Sequence, residues 1–233
     1  MERVILKFSG EALKDEVNNV SEQKLAILYE TIEILKKQKK KIAIVIGGGN
    51  FFRGRENTHM QEINRDTIGM MFSVINALHI KDYLENKNCK CIVSSPFDLN
   101  GLINKYSDEE ILAKYNDGDV IIFGGGLGKC GYSTDSGLVL ANRILNSDLV
   151  IKLTKVDGIY NKDPLVYEDA FRYEEISYQD VIDNNYKVID MYTVEELKNS
   201  GTEILVMNFN KYKESEDFFK GIKVGTRVYN EKR

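Results

Sequence analysis

Apolar residues in this chain come in two kinds of run, short unbroken ones and longer spaced ones. Val4 to Phe8, Ile42 to Ile46, Lys90 to Ser94, Asp119 to Phe123 and Asp148 to Leu153 are short, rich in β-branched residues and mostly apolar. Such runs predict strands buried on both faces, the habit of parallel sheets. The spaced runs lie between them. Leu25, Leu28, Ile32 and Leu35 keep helical spacing, with Ser21 placed as N-cap and Lys36 to Lys41 as a basic end that suits the helix dipole. Ile68, Met71, Phe72, Ile75, Leu78 and Ile80 predict one apolar side of a long helix over Met60 to Leu84. Ser107 caps a short helix to about Tyr115, and Ser133-Thr134-Asp135-Ser136 opens another through about Leu145. Strand, helix and strand in alternation give an α/β protein with a parallel sheet. Further on, strands are expected at Phe171 to Ile176, Glu203 to Asn208 and Val224 to Tyr229, and helices at Tyr178 to Asn184 and Val194 to Asn199.

Composition narrows the class. The chain has 233 residues, 42% hydrophobic, which suffices for one well-packed domain with room for two lobes. Lys and Arg number 32 against 36 Asp and Glu, so no basic excess points to nucleic acid or an anionic membrane. The 3 cysteines, with Cys89 and Cys91 flanking one lysine and Cys130 alone, suit a reducing compartment rather than a disulfide framework. No apolar run nears the ~20 residues of a membrane span, and Met1-Glu2-Arg3-Val4 leads into a strand rather than a signal peptide. The expectation is a soluble, cytoplasmic protein. His59 and His79 share no metal-ligand spacing, so no metal site is expected.

Candidate chemistry gathers where strands end. Lys7 stands inside an apolar strand that Ser9-Gly10 breaks. It either snorkels to the strand end or points at a bound phosphate, since a buried ammonium needs an anion. Gly47-Gly48-Gly49-Asn50 follows the second strand at once, as a sharp turn or as backbone that must approach an anion. Arg53 and Arg55 follow, and guanidinium forks suit phosphate. Asp66, near a helix start, either serves the helix dipole or meets a ribose hydroxyl. Lys152 is a second lysine inside a buried strand.

The run Gly124 to Gly131 is no P-loop, because Phe123 and Cys130 stand where a glycine and a hydroxyl belong. Gly126-Leu127-Gly128-Lys129-Cys130-Gly131 does fit G-x-G-x-x-G, which leaves dinucleotide binding open as an alternative. The loop Thr154 to Pro164 holds a base and ribose or is an ordinary surface turn.

Taken in order, several stretches resemble the bacterial uridylate kinases of the amino-acid kinase superfamily. They are Leu6 to Leu13, Val45 to Gly54, Thr134-Asp135, Lys152 to Pro164, Lys187 to Asp190 and Val206 to Asn208. The resemblance implies a three-layer α/β/α sandwich with a mostly parallel central sheet. It divides one domain into an acceptor lobe of about residues 1–145 and an ATP lobe of about 146–233. It implies transfer of phosphate from ATP, with Mg²⁺, to UMP, a homohexamer, and GTP and UTP as effectors. Lys7, Ser9, Gly10, Gly49 and Arg53 would hold ATP phosphates, and Thr154, Tyr160 and Asp163 its adenosine. Gly48, Asp66 and the loop Leu127, Gly128, Lys129, Cys130, Gly131, Tyr132, Ser133, Thr134 would hold UMP. Lys7 would follow the transferring group, and Asp135 would orient Lys7 or organise Mg²⁺.

One stretch departs from the family. Its acceptor loop usually reads Gly-Thr-Gly-Asn-Pro-Phe-Phe-Thr-Thr-Asp, whereas Gly126 to Asp135 lacks the first Thr, the Asn-Pro and one Phe, with Tyr132 standing for the other. That bears on acceptor preference. Two other readings accompany the first: a kinase of this fold with another phosphate, carboxylate or carbamate acceptor, and a non-catalytic nucleotide sensor.

Overall fold

In a computed structural model, which describes residues 1–187 and 189–231, the first strand shows why the core has two sides. This strand is β1 (Arg3–Phe8). Val4, Leu6 and Phe8 enter one apolar cluster and Ile5 the other, as side chains alternate across a sheet. Val188, Lys232 and Arg233 lie outside the described residues, as does the Arg55 side chain.

The chain continues through α1 (Gly10–Leu13), α2 (Glu22–Lys37), β2 (Lys41–Ile46), α3 (Glu62–Asn86), β3 (Cys91–Ser94) and α4 (Asp108–Asn116). Then come β4 (Val120–Phe123), α5 (Gly137–Leu145), β5 (Leu149–Thr154), β6 (Glu175–Ser177) and α6 (Tyr178–Asp183). Last are α7 (Met191–Ser200), β7 (Glu203–Asn208), α8 (Glu214–Phe219) and β8 (Thr226–Tyr229). One sheet joins the strands in the order β3-β4-β2-β1-β5-β7-β8-β6. It is parallel from β3 to β7; β8 runs antiparallel to β7, and β6 pairs parallel with β8. Helices α2, α3 and α8 cover one face, and α4 to α7 the other, so the chain is a three-layer α/β/α sandwich.

Local rules account for most boundaries. Helix α2 buries Leu25, Leu28, Ile32 and Leu35, each worth about 1.5–3 kcal/mol when taken from water. Ser107 and Glu110 form a complete capping box on α4. Tyr115 is fully buried, and its hydroxyl donates to the Lys41 carbonyl at 2.9 Å.

The structure corrects four expectations. Helix α3 buries Met70, Val74, Ala77, Ile80 and Leu84 together with Ser73 and Asn76, while Ile75 and Leu78 are 38% and 39% exposed. The apolar side expected from the sequence was therefore misplaced, because two polar residues face inward. The basic stretch at the end of α2 stops short, since Lys41 opens β2. The strand expected from Phe171 shrinks to Glu175–Ser177, preceded by one bridge between Tyr160 and Arg172. Helices α1 and α8 were not anticipated.

Candidate active site

The carboxyl ends of β1, β2 and β5 meet in the middle of the sheet, the place where parallel sheets bind ligands. Lys7 on β1 stands in register with Lys152 on β5, so both side chains leave the same face. Asp135 comes between them from a 3₁₀ turn, Thr134–Ser136, that leads into α5. The Lys7 Nζ lies 2.9 Å from Asp135 Oδ1, and the Lys152 Nζ 4.0 Å from Oδ2. Lys7 is 2% exposed and also donates to the Phe8 carbonyl at 3.2 Å. Burial raises the Asp135 pKa, but the two ammonium groups and the Lys7 hydrogen bond outweigh it and hold the carboxyl below its ordinary value. Burial lowers the Lys152 pKa, against the pull of Asp135. Both lysines thus face Asp135, and the Asp190 carboxylate also favours the charged form of Lys152.

Two cavities adjoin the cluster. The first, about 580 Å³, is lined by Lys7, Ser9, Gly10, Gly48, Gly49, Arg53, Asp66, Tyr132, Ser133, Thr134 and Asp135, all marked by the sequence. The second, about 530 Å³, is lined by Thr154, Tyr160 and Asp163. Lys152 forms part of both walls.

The glycines that follow β1 and β2 have steric reasons. A Cβ on Gly10 would stand 2.5 Å from the Gly49 nitrogen and 2.7 Å from the Gly47 carbonyl, so the two strand ends interlock. A Cβ on Gly48 would meet the Gly69 carbonyl at 2.5 Å. That glycine admits α3 to the turn. Only Gly49 leaves room, with Glu11 Cγ at 3.4 Å as the nearest neighbour.

Arg53 pairs with Glu11 at 2.5 Å and Glu56 at 2.9 Å. Tyr160 donates to Asp157 at 2.6 Å, which raises the tyrosine pKa and lowers that of the carboxyl. Asp66 accepts the Gly131 N–H at 2.6 Å.

The structure does not bring the whole acceptor loop to the cavity. Leu127, Gly128, Lys129, Cys130 and Gly131 lie off its wall. A Cβ on Gly128 would stand 2.8 Å from Pro96, and the Cys130 thiol lies 3.7 Å from the Ile63 carbonyl. The end of the loop turns inward and is anchored on α7. Ser133 donates to Asp190 at 2.7 Å, and Tyr132 packs edge-on against Tyr192 at 5.0 Å. Sequence reasoning gave no role to Glu11, Phe52, Arg65 or Met70 in the first cavity, or to Asn185 and Tyr186 in the second. The stretch Lys187 to Asp190 was the nearest signal for the latter group.

The amino acid kinase family model matches residues 2–208. The chain belongs to the amino acid kinase family. Among its relatives in that family, the uridylate kinase of Fervidobacterium nodosum is 37% identical over 97% of each chain. The uridylate kinase of Thermosipho melanesiensis is 34% identical over the same shares. Among solved amino acid kinase structures, UMP kinase from Bacillus anthracis superposes with a TM-score of 0.93 at 28% identity, covering 99% of this chain and 97% of that one. UMP kinase from Ureaplasma parvum superposes with a TM-score of 0.90 at 29% identity, covering 98% and 99%.

Proposed function

We propose that this chain phosphorylates UMP to UDP with ATP, by direct in-line transfer. The observation that carries the reading is the pair of cavities that share Lys152, the first of them lined also by the Lys7–Asp135 contact. The uridylate kinase relatives supply the acceptor's name. ATP occupies the second cavity with its adenosine against Thr154, Tyr160 and Asp163. Its phosphates run toward Ser9, Gly10, Gly49 and Arg53. UMP occupies the first cavity beside Gly48 and Asp66, under Tyr132, Ser133 and Thr134, with Leu127 to Gly131 as the outer part of that loop. The first cavity is lined chiefly by residues before 145 and the second by residues after it, which supports an acceptor lobe and an ATP lobe.

The acceptor phosphate is mostly a dianion at neutral pH, its second pKa being about 6, so no general base is needed. Positioning and charge neutralisation then supply the rate. Lys7 follows the transferring phosphoryl group, Asp135 holds Lys7 on line at 2.9 Å, and Lys152 adds a second cation. Glu11 and Asp135 line the cavity, which fits the one or two protein carboxylates that a phosphate-borne Mg²⁺ takes. Bound Mg²⁺ would neutralise phosphate charge.

Further parts of the reading concern setting and regulation. The outward Ile75 and Leu78 of α3 support subunit contacts, and we extend the reading to a homohexamer with GTP and UTP as effectors. Cys89, Cys91 and Cys130 are free, which suits a cytoplasmic enzyme. Among the described residues no helix is long and apolar enough to cross a membrane.

The test is ADP release from Mg-ATP with UMP, CMP and acetylglutamate, for the parent and Lys7→Ala. Turnover with UMP that falls by orders of magnitude in Lys7→Ala is expected. Faster turnover with another acceptor, or near-parental turnover without the lysine, overturns the reading.

A further inference from the structure

Helix α3 carries a polar stripe of which the proposed reaction uses only Asp66. At 100° per residue, Asp66, Ser73 and Asn76 fall within about 80° of one another around the helix. Ser73 and Asn76 are fully buried. Alanine and leucine would fill such positions without needing partners, whereas buried polar groups must find them. The partners here are loop atoms. Asn76 Nδ2 donates to the Gly47 carbonyl and to Asn50 Oδ1, both at 2.7 Å. Asn50 Nδ2 returns a bond to Asn76 Oδ1 at 3.0 Å and reaches the Asn19 carbonyl at 2.8 Å. One turn earlier, Ser73 Oγ accepts the Gly125 N–H at 2.6 Å and donates to the Met70 carbonyl at 2.8 Å. The turn Gly47–Asn50 and the loop that starts at Gly124 are thus both fastened to one face of one helix.

We propose that Ser73 and Asn76 are positioning residues for phosphoryl transfer, Asn76 fixing the Gly47–Asn50 turn and Ser73 the root of the acceptor loop. Resting on the UMP kinase reading, this makes their spacing along α3 the ruler that sets how far apart the two phosphate-holding loops stand. A rigid helix keeps that distance, while two loops held only by their own strands would drift. Small misplacements matter in such chemistry, about 1 Å costing on the order of 100-fold in rate.

Ser73→Ala and Asn76→Leu separate the two attachments, and two readouts follow each. One is amide hydrogen exchange of the ligand-free protein; the other is the steady-state kinetics of both substrates. Ser73→Ala should speed exchange at Gly125 to Gly131 about ten-fold, the expected effect of losing one buried acceptor. KM for UMP should rise while KM for ATP keeps its parental value. Asn76→Leu should speed exchange at Gly47 to Asn50 and lower kcat by about 100-fold. Asn76→Ser takes its place if the leucine variant does not fold. Parental exchange rates in both loops, or equal changes in both KM values, overturn the proposal. If the parent forms no ADP with UMP, the underlying reading fails on its own, and the exchange data still decide whether α3 holds the loops.

Discussion

Gly49 is the position where the fold admits a side chain and the proposed reaction does not. A Cβ there would stand 3.4 Å from Glu11 Cγ and 3.6 Å from Glu11 Oε1, ordinary contact distances. Its φ also lies outside the left-handed range. Gly49→Ala should therefore fold as the parent does. Restricting the unfolded chain gains about 0.4–1 kcal/mol, a rise in Tm of about 1–4 °C at this size. A phosphate oxygen accepting the Gly49 N–H needs to come within about 2.9 Å of the nitrogen. A methyl on the open side pushes it back by a sizeable part of 1 Å, and a displacement of that order costs about 100-fold, or roughly 2.7 kcal/mol in the barrier. The contrast is Gly10→Ala, whose methyl would collide with the Gly49 nitrogen at 2.5 Å and the Asn50 side chain at 2.6 Å. Overpacking of that kind costs about 1–3 kcal/mol, so this variant loses Tm and activity together. Thermal melts read alongside a coupled ADP assay separate the two. A Gly49→Ala protein with parental kcat and parental KM for ATP would refute the claim that phosphate lies against this backbone.

Two further outcomes follow from the site. Asp135 has its pKa lowered, so the stability it lends is present above the unfolded value near 4 and is lost as pH falls through the lower folded value. Melting temperatures of the parent should then fall more steeply with acid than those of Asp135→Asn; parallel curves would contradict the Lys7 pairing. Burial pushes the Cys91 thiol up to about 12, and Cys89 is buried as well, whereas Cys130 is exposed in the acceptor loop. Iodoacetamide should label Cys130 first, and UMP should slow that labelling; labelling at the same rate with saturating UMP would detach the loop from the acceptor.

The strands were legible because parallel strands buried on both faces leave a continuous apolar trace, as Ile42 to Ile46 does. The capped start of α4 was legible too, since a capping box is written in four adjacent residues. Helix α3 was misread because periodicity assumes that apolar residues point inward. Here Ser73 and Asn76 point inward to hold loops remote in sequence, and Ile75 and Leu78 point out. Lys7 was legible as a lysine inside an apolar strand and Asp135 through the family resemblance, and the two lie 2.9 Å apart. The pairing of Arg53 with Glu11 was hidden, because nothing local says that a side chain 42 positions away will fold beside it. The glycines of the turn were half legible. Their number suggested an anion, yet Gly48 answers to the backbone of α3.

The shared wall at Lys152 has a consequence for inhibition. Two adjoining hollows with a common partition invite a tethered compound, two nucleosides strung on one polyphosphate. Such tethering raises avidity by roughly 10²–10⁴ over either half when the linker matches the gap. The number of phosphates in the tightest member of a graded series would gauge the reach from donor to acceptor.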